Sequence, residues 1–228
     1  MRERTLAVDY RYTSIGDIAA LSTQTRLKLA AALPDPYHSR FLDYSRTERA
    51  RLESFCTGLL LSDLLHEHPD YDLTFSEWGR PLLHPQDARE VPIALSVSHG
   101  GDIAIIASCV TCRALGVDVE PRRPYNGAVA RRVFDDVRIA WIEANPSARD
   151  ERFTHAWTEL EAVLKARGTG FSLDPREHDA FAGIHTSFFE LQGHTVSAAA
   201  ILGIPCIFSL RRLSVCPLLR SITWDKLQ

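Results

Sequence analysis

The run Gly116-Val117-Asp118-Val119-Glu120 sets two carboxylates two residues apart among valines. Side chains alternate across a strand, so Asp118 and Glu120 share one face while Val117 and Val119 share the other. Successive positions on one face stand about 7 Å apart. Two carboxylates that close repel each other unless a cation lies between them. A hard divalent ion with oxygen ligands, Mg²⁺ or Mn²⁺, meets that demand. An acidic, solvent-facing edge strand is the ordinary alternative for an isolated Asp-x-Glu.

Trp157-Thr158-Glu159-Leu160-Glu161-Ala162-Val163-Leu164-Lys165 supplies a second set of charges. Phe153, Trp157, Leu160 and Leu164 recur at helical spacing and form one apolar stripe. At about 100° per residue, Glu161 lies at the margin of that stripe and Lys165 one turn beyond. As an exposed i,i+4 pair they would contribute only about 0.2–0.5 kcal/mol. A carboxylate beside a tryptophan at a core margin calls for a stronger partner. Glu159 falls on the solvent side, and Gly168-Thr169-Gly170 predicts the helix end.

The elements that must position these groups follow from pattern. Ser96-Val97-Ser98-His99-Gly100-Gly101-Asp102 lies between apolar runs, and its Gly-Gly reads as a tight hairpin turn. Strands at 93–98, 103–109 and 114–120, taken as an antiparallel meander, return the His99 turn and the Asp118/Glu120 end to one sheet edge. Chain direction alone requires it. Elsewhere strands are predicted at 4–12, 72–77, 185–191, 194–202 and 206–215, with helices over about 24–33, 46–67, 126–144 and 150–167. The fold class is α+β. Both halves, 1–112 and 113–228, read β-α-α-β-β-β, two similar α/β subdomains with the acidic motifs in the second. A cleft between such lobes is a usual place for a ligand.

Taken together, these segments resemble the Sfp-type 4′-phosphopantetheinyl transferases. That family carries a Gly-x-Asp-x-Glu strand followed downstream by Trp-x-x-Lys-Glu-(Ala/Ser)-x-x-Lys, matched here from Gly116 to Glu120 and from Trp157 to Lys165. Ser98-His99 resembles its Ser-His, and Trp78-Gly79-Arg80-Pro81 its Gly-Lys-Pro element. The resemblance implies two subdomains related by a pseudo-twofold and transfer of 4′-phosphopantetheine from coenzyme A to a serine of an apo acyl or peptidyl carrier protein, releasing 3′,5′-ADP. It implies Asp118, Glu120 and Glu161 as ligands of Mg²⁺, Lys165 as the cation at the leaving oxygen, and His99 at a pyrophosphate oxygen. Ser98 and Arg80 would join the coenzyme site. Basic residues near Arg46, Arg49 and Arg51 would hold its 3′-phosphate, although three arginines at i, i+3 and i+5 also suit a solvated helix face. Leu160 stands where the family often has Lys, and Arg138 stands near a position that often holds Glu, so the general base stays open. Another metal-dependent phosphoryl transferase, or a relative that binds coenzyme A or carrier without transfer, are the alternative readings.

Composition sets the outer bounds. The 228 residues carry a net charge of −3, which argues against bulk affinity for nucleic acid. The chain shows no apolar run long enough for a membrane span, and the polar start Met1-Arg2-Glu3-Arg4-Thr5 is unlike a signal peptide. The five cysteines are odd in number and scattered; Cys109-Val110-Thr111-Cys112 lacks the second pair of a zinc site. A cytoplasmic, monomeric protein with reduced thiols is expected.

Overall fold

The structure, a computed structural model, describes residues 5–77, 79–110, 112–170, 174–176, 181–202 and 207–212. Trp78 and the predicted strand residues 206 and 213–215 lie outside them. Two sheets stack as inner layers, each covered on its outer face by a long helix. β1 (Thr5–Ser14), β4 (Ala94–Gly100), β5 (Ile103–Cys109) and β9 (Ile207–Arg212) form the first sheet in the order β4-β5-β1-β9. β6 (Cys112–Pro121), β7 (Ile184–Leu191) and β8 (His194–Leu202) form the second, in the order β6-β8-β7. β2 (Tyr71–Phe75) and β3 (Pro81–Pro85) make a separate hairpin. β9, near the end of the chain, returns to pair in parallel with β1.

The face between the sheets is built by alternation. Tyr10 and Tyr12 of β1 and Ile103 and Ile105 of β5 pack against Leu115, Val117 and Val119 of β6 and Val196 and Ala198 of β8. Each buried aliphatic side chain there contributes roughly 1.5–3 kcal/mol. The opposite face of the first sheet is covered by α4 (Glu48–Glu67), whose Phe55, Leu59, Leu60 and Leu64 meet Leu95, Ala104 and Ile106. Thr47 caps that helix, its hydroxyl accepting from Ala50 N at 3.2 Å. The short helices α1 (Ile15–Ala19), α2 (Thr23–Ala30) and α3 (Tyr37–Leu42) fill the same side.

α7 (Arg149–Arg167) covers the second sheet with small residues: Ala162 and Ala166 pack with Val163 and Ala199. Its other flank, Phe153, Leu160 and Leu164, packs with Val133, Phe134 and Ile142, and Trp157 is partly buried beside them. That is the predicted stripe. Gly168 closes the helix in the left-handed region at φ 70°. The small residues matter because the helix backbone rests directly on β6. A Cβ built on Gly116 would stand 1.8 Å from Ala162 O and 2.6 Å from Ala166 N. Gly100 is confined in the same way: its Cβ would stand 2.1 Å from Val119 O, so β4 lies hard against β6.

Three expectations differ from what is observed. Neither half keeps the order β-α-α-β-β-β: among the described residues the first has four helices and five strands, and the second has three α-helices. The single helix over 126–144 is two, α5 (Gly127–Val133) and α6 (Asp136–Glu143), because Phe134 is extended and the Asp135 carboxylate caps a new start at Arg138 N, 2.8 Å away. The three-strand meander does not continue to its third strand. β5 is bonded on one edge by β4 and on the other by β1, so β6 has no free edge there and pairs with β8 instead. β6 runs beside β4, tied by Val117 N to Ser96 Oγ at 3.0 Å. The glycine contact gives the first prediction. Gly116→Ala should lower unfolding free energy by about 3 kcal/mol or more, since neither strand nor helix backbone can yield locally. Urea denaturation checks it, and a change within error of wild type would contradict the packing described.

Candidate active site

Gly116 brings α7 onto β6, and the even-numbered face of that strand therefore meets the helix. Asp118 is 6% exposed there. Its Oδ1 accepts from Lys165 Nζ at 2.7 Å and from Ser98 Oγ at 2.8 Å. Lys165 Nζ also donates to Ser98 Oγ at 2.9 Å and to Val117 O at 3.0 Å, so its three protons have three acceptors. Asp118 Oδ2 is buried and has no hydrogen-bond partner among the described residues.

Glu120 and Glu161 complete an acidic cluster. Burial pushes the Glu161 carboxyl above the ordinary range, and the Asp118 charge pushes it further. Burial also raises Glu120; the Arg123 guanidinium, 3.0 Å from its Oε1, opposes this, while Asp118 adds to it. The three acids therefore lie in one field. Among the described residues no group of three or more His, Cys, Asp or Glu is arranged so that it could hold a metal ion. The donor set nevertheless has the chemistry of a hard divalent cation: oxygen only, one buried oxygen unpartnered, two carboxyls held against their charged form.

Two cavities are lined by α7. One of about 280 Å³ runs past Arg80, Ser96, Glu161, Lys165 and Gly168. The other, about 610 Å³, is bounded by Val129, Arg132, Val133, Trp157 and Arg176.

Residues 114–201 match the profile of the 4′-phosphopantetheinyl transferase superfamily. The chain is 31% identical over 144 residues to the 4′-phosphopantetheinyl transferase AcpT of Escherichia coli K12, covering 59% of this chain and 70% of that protein. The chain belongs to the 4′-phosphopantetheinyl transferase superfamily. It is also 31% identical over 96 residues to the 4′-phosphopantetheinyl transferase psf-1 of Bacillus pumilus and 29% identical over 98 residues to that of Bacillus subtilis. Those two matches cover 41% and 42% of this chain and 38% and 41% of the relatives, about two fifths of each.

The superfamily segment contains β6, α7 and β8, and with them Asp118, Glu120, Glu161 and Lys165. The remaining candidates come from the first sheet and its helices. Alternation along β4 sends Ser98 to Asp118 and His99 the opposite way, to α4. His99 Nδ1 lies 3.6 Å from Glu53 Oε1, which also accepts from Arg49 Nε at 2.7 Å. Arg49 further donates through Nη2 to Gly101 O. Arg51 donates to Phe41 O at 2.7 Å and stacks 3.8 Å from the Tyr44 ring centroid, and Arg46 is exposed ahead of α4. Arg80 reaches the α7–β6 junction through backbone carbonyls. Eight of the candidates thus fall into two groups, Ser98/Asp118/Glu120/Glu161/Lys165 with Arg80, and Arg49/His99 beside Glu53, while Arg46 and Arg51 join neither.

Sequence reasoning passed over three participants. Ser96 ties β4 to β6, Glu53 joins Arg49 to His99, and Arg123 is paired with Glu120 while its guanidinium lies 5.1 Å from the Trp157 ring centroid. The i,i+3 and i,i+4 spacings of the two acid–base pairs were visible signals; the Ser96 contact was not. Glu159 is not on a wet face. It accepts from Thr186 Oγ1 at 2.7 Å and is ion-paired 2.8 Å from Arg138 Nη1 because β7 packs over that flank. Arg138 is engaged there as a partner of Glu159.

The electrostatics separate residues that the spacing treated alike. Asp118 has one oxygen, Oδ1, held by Lys165 and Ser98, whereas Glu161 carries a net penalty for its charge. Without metal, Asp118→Ala should therefore destabilise by about 2 kcal/mol or more, below the fully buried case because the Lys165 side chain keeps 31% exposure. Glu161→Gln should stabilise the metal-free protein at pH 7. The folded state holds the Glu161 proton more tightly than the unfolded chain, so this group's penalty is present at neutral pH and fades as pH falls through its raised value. Thermal unfolding in EDTA at pH 7 and pH 5 checks both signs. The advantage of Glu161→Gln should shrink at the lower pH, and a growing advantage would contradict the assignment.

Proposed function

We propose that this protein transfers 4′-phosphopantetheine from coenzyme A to a serine hydroxyl of an apo acyl or peptidyl carrier protein. The serine oxygen forms a bond to the phosphorus that carries the pantetheine. The bond from that phosphorus to the bridging oxygen breaks, and 3′,5′-ADP leaves with the electron pair. The serine proton is lost. Such a reaction asks for positioning and charge stabilisation more than for covalent chemistry. The observation that carries the reading is the Asp118–Lys165–Ser98 network with Glu120 and Glu161 beside it, inside the superfamily segment.

Asp118, Glu120 and Glu161 would hold Mg²⁺, or Mn²⁺, which when bound supplies charge neutralisation to the pyrophosphate. Lys165 offers a fixed ammonium to the leaving oxygen, held in place by Val117 O and Ser98. Its value grows as negative charge develops. His99 and Arg49 stand together beside the Gly100–Gly101 turn, a basic pair suited to phosphate oxygens of the coenzyme, with Arg46 and Arg51 on the same helix approach. The two halves, 1–112 and 113–228, act as subdomains related by a pseudo-twofold with the site between them. Each presenting one long helix on one sheet supports this. The net charge of −3 is in keeping with a protein that has no nucleic-acid partner.

Intact-mass spectrometry of an apo carrier protein incubated with the enzyme, coenzyme A and Mg²⁺ tests the proposal. The carrier should gain one phosphopantetheinyl group, and only when coenzyme A is present. A folded protein that modifies no carrier in a panel would instead support a non-catalytic relative. Glu161→Gln should need more Mg²⁺ for half-maximal rate, because a ligand charge is lost and the shape kept. Lys165→Ala should lose about a hundredfold in turnover at saturating Mg²⁺. A magnesium titration of both variants checks the difference, and an unchanged metal requirement in Glu161→Gln would remove it from the ligand set.

A further inference from the structure

Arg80 is set in the turn of the β2–β3 hairpin. Gly79 precedes it at φ 77°, Ser76 N donates to Arg80 O at 2.9 Å, and Arg80 N donates to Ser76 Oγ at 3.1 Å. The side chain leaves this anchor and spends its donors on three carbonyls. Nη1 donates to Lys165 O at 2.7 Å, and Nη2 donates to Leu115 O at 2.9 Å and Leu95 O at 3.3 Å. Those carbonyls belong to α7, β6 and β4. Lys165 itself carries the first, Asp118 lies three residues beyond Leu115, and Ser98 lies three residues beyond Leu95. One guanidinium therefore joins the three elements whose side chains form the Asp118–Lys165–Ser98 network.

The chemistry suits arginine in particular. Lys165 O is among the terminal carbonyls of α7, and Gly168 N reaches it as well, at 3.1 Å. A cation at that end is favoured by the helix dipole. A planar fork of five donors can serve carbonyls that diverge from one another, whereas a single ammonium is a point charge. β4 and β6 share no ladder among the described residues, so besides Arg80 they are tied by the Ser96 bond, the Gly100 contact and the Ser98–Asp118–Lys165 bonds whose geometry is at issue.

We infer that Arg80 is a positioning residue, holding β4, β6 and the last turn of α7 in register so that Ser98, Asp118 and Lys165 meet, and that it does not bind the coenzyme through a phosphate. This departs from the role suggested by the Gly-Lys-Pro resemblance, and it rests on the phosphopantetheinyl-transfer reading. The test uses Arg80→Met and Arg80→Lys in the full chain. Turnover and KM are measured for coenzyme A and for 3′-dephospho-coenzyme A, with hydrogen exchange followed by mass spectrometry. Arg80→Met should lose at least about tenfold in kcat with KM for both coenzymes nearly unchanged. Arg80→Lys should recover part of that loss. Exchange should rise about tenfold in β4, β6 and the last turn of α7 of Arg80→Met while α4 keeps its protection. A higher KM for coenzyme A at unchanged kcat, or a loss of preference between the two coenzymes, overturns the inference in favour of direct contact. Exchange that is unchanged, or that rises equally in α4, overturns it as well. Should wild type transfer nothing, the transfer reading fails by itself, and the exchange measurement still decides whether Arg80 holds these elements together.

Discussion

The site depends on one steric constraint: the backbone of α7 lies against the backbone of β6 at Gly116, with no room for a side chain between them. Ordinary helix-on-sheet packing interposes side chains and keeps the layers near 10 Å apart, about the separation of two stacked sheets. Direct contact shortens that separation and brings Lys165 within hydrogen-bond reach of Asp118, with Glu161 in the field of the same carboxylate. Ala162, Ala166 and Ala199 belong to the same arrangement, since larger residues would lift the helix away. Gly100 applies the constraint a second time, on Val119 O, and brings Ser98 of β4 to the junction. Three elements thus converge at their backbones, and their side chains have little freedom to miss one another.

Electrostatics then divides the converging groups. Lys165 and Asp118 form a largely buried pair whose desolvation is offset by additional hydrogen bonds from Ser98 and to Val117 O. Glu120 and Glu161 have less compensation. Burial and the neighbouring Asp118 raise both carboxyls, more than Arg123 and Lys165 lower them, beside an unpartnered carboxylate oxygen. Such an arrangement costs stability and favours a divalent cation, the trade expected where function rather than folding sets the residue choice.

Much of this was legible in the sequence because it depends on local period. Alternation in Gly116–Glu120 assigned Asp118 and Glu120 to one face, and helical spacing assigned the Phe153/Leu160/Leu164 stripe and the marginal place of Glu161. Chain direction returned the Gly100–Gly101 turn to the Asp118/Glu120 end, although through a meander that does not form. What was not legible depends on which strand edges are already taken. β1 and β4 occupy both edges of β5, so β6 had to join β8, a competition between segments far apart in the chain. His99 was expected beside the carboxylates, yet the alternation that brings Ser98 there turns His99 toward Glu53. Glu159 was misjudged, and the carbonyl contacts of Arg80 were hidden, for a shared reason: a long charged side chain on a local pattern can be claimed by backbone or by a packed neighbour that only the tertiary fold supplies.

The central claim is that β6 and α7 together hold a divalent cation on carboxylates from both elements. Anomalous diffraction from crystals of the protein grown with coenzyme A and Mn²⁺ tests it most directly. The account predicts a Mn²⁺ peak within bonding distance of carboxylate oxygens of Asp118, Glu120 and Glu161, with Lys165 still near Asp118. A fully occupied coenzyme with no metal peak at these residues, or with the metal held by other side chains, would contradict it.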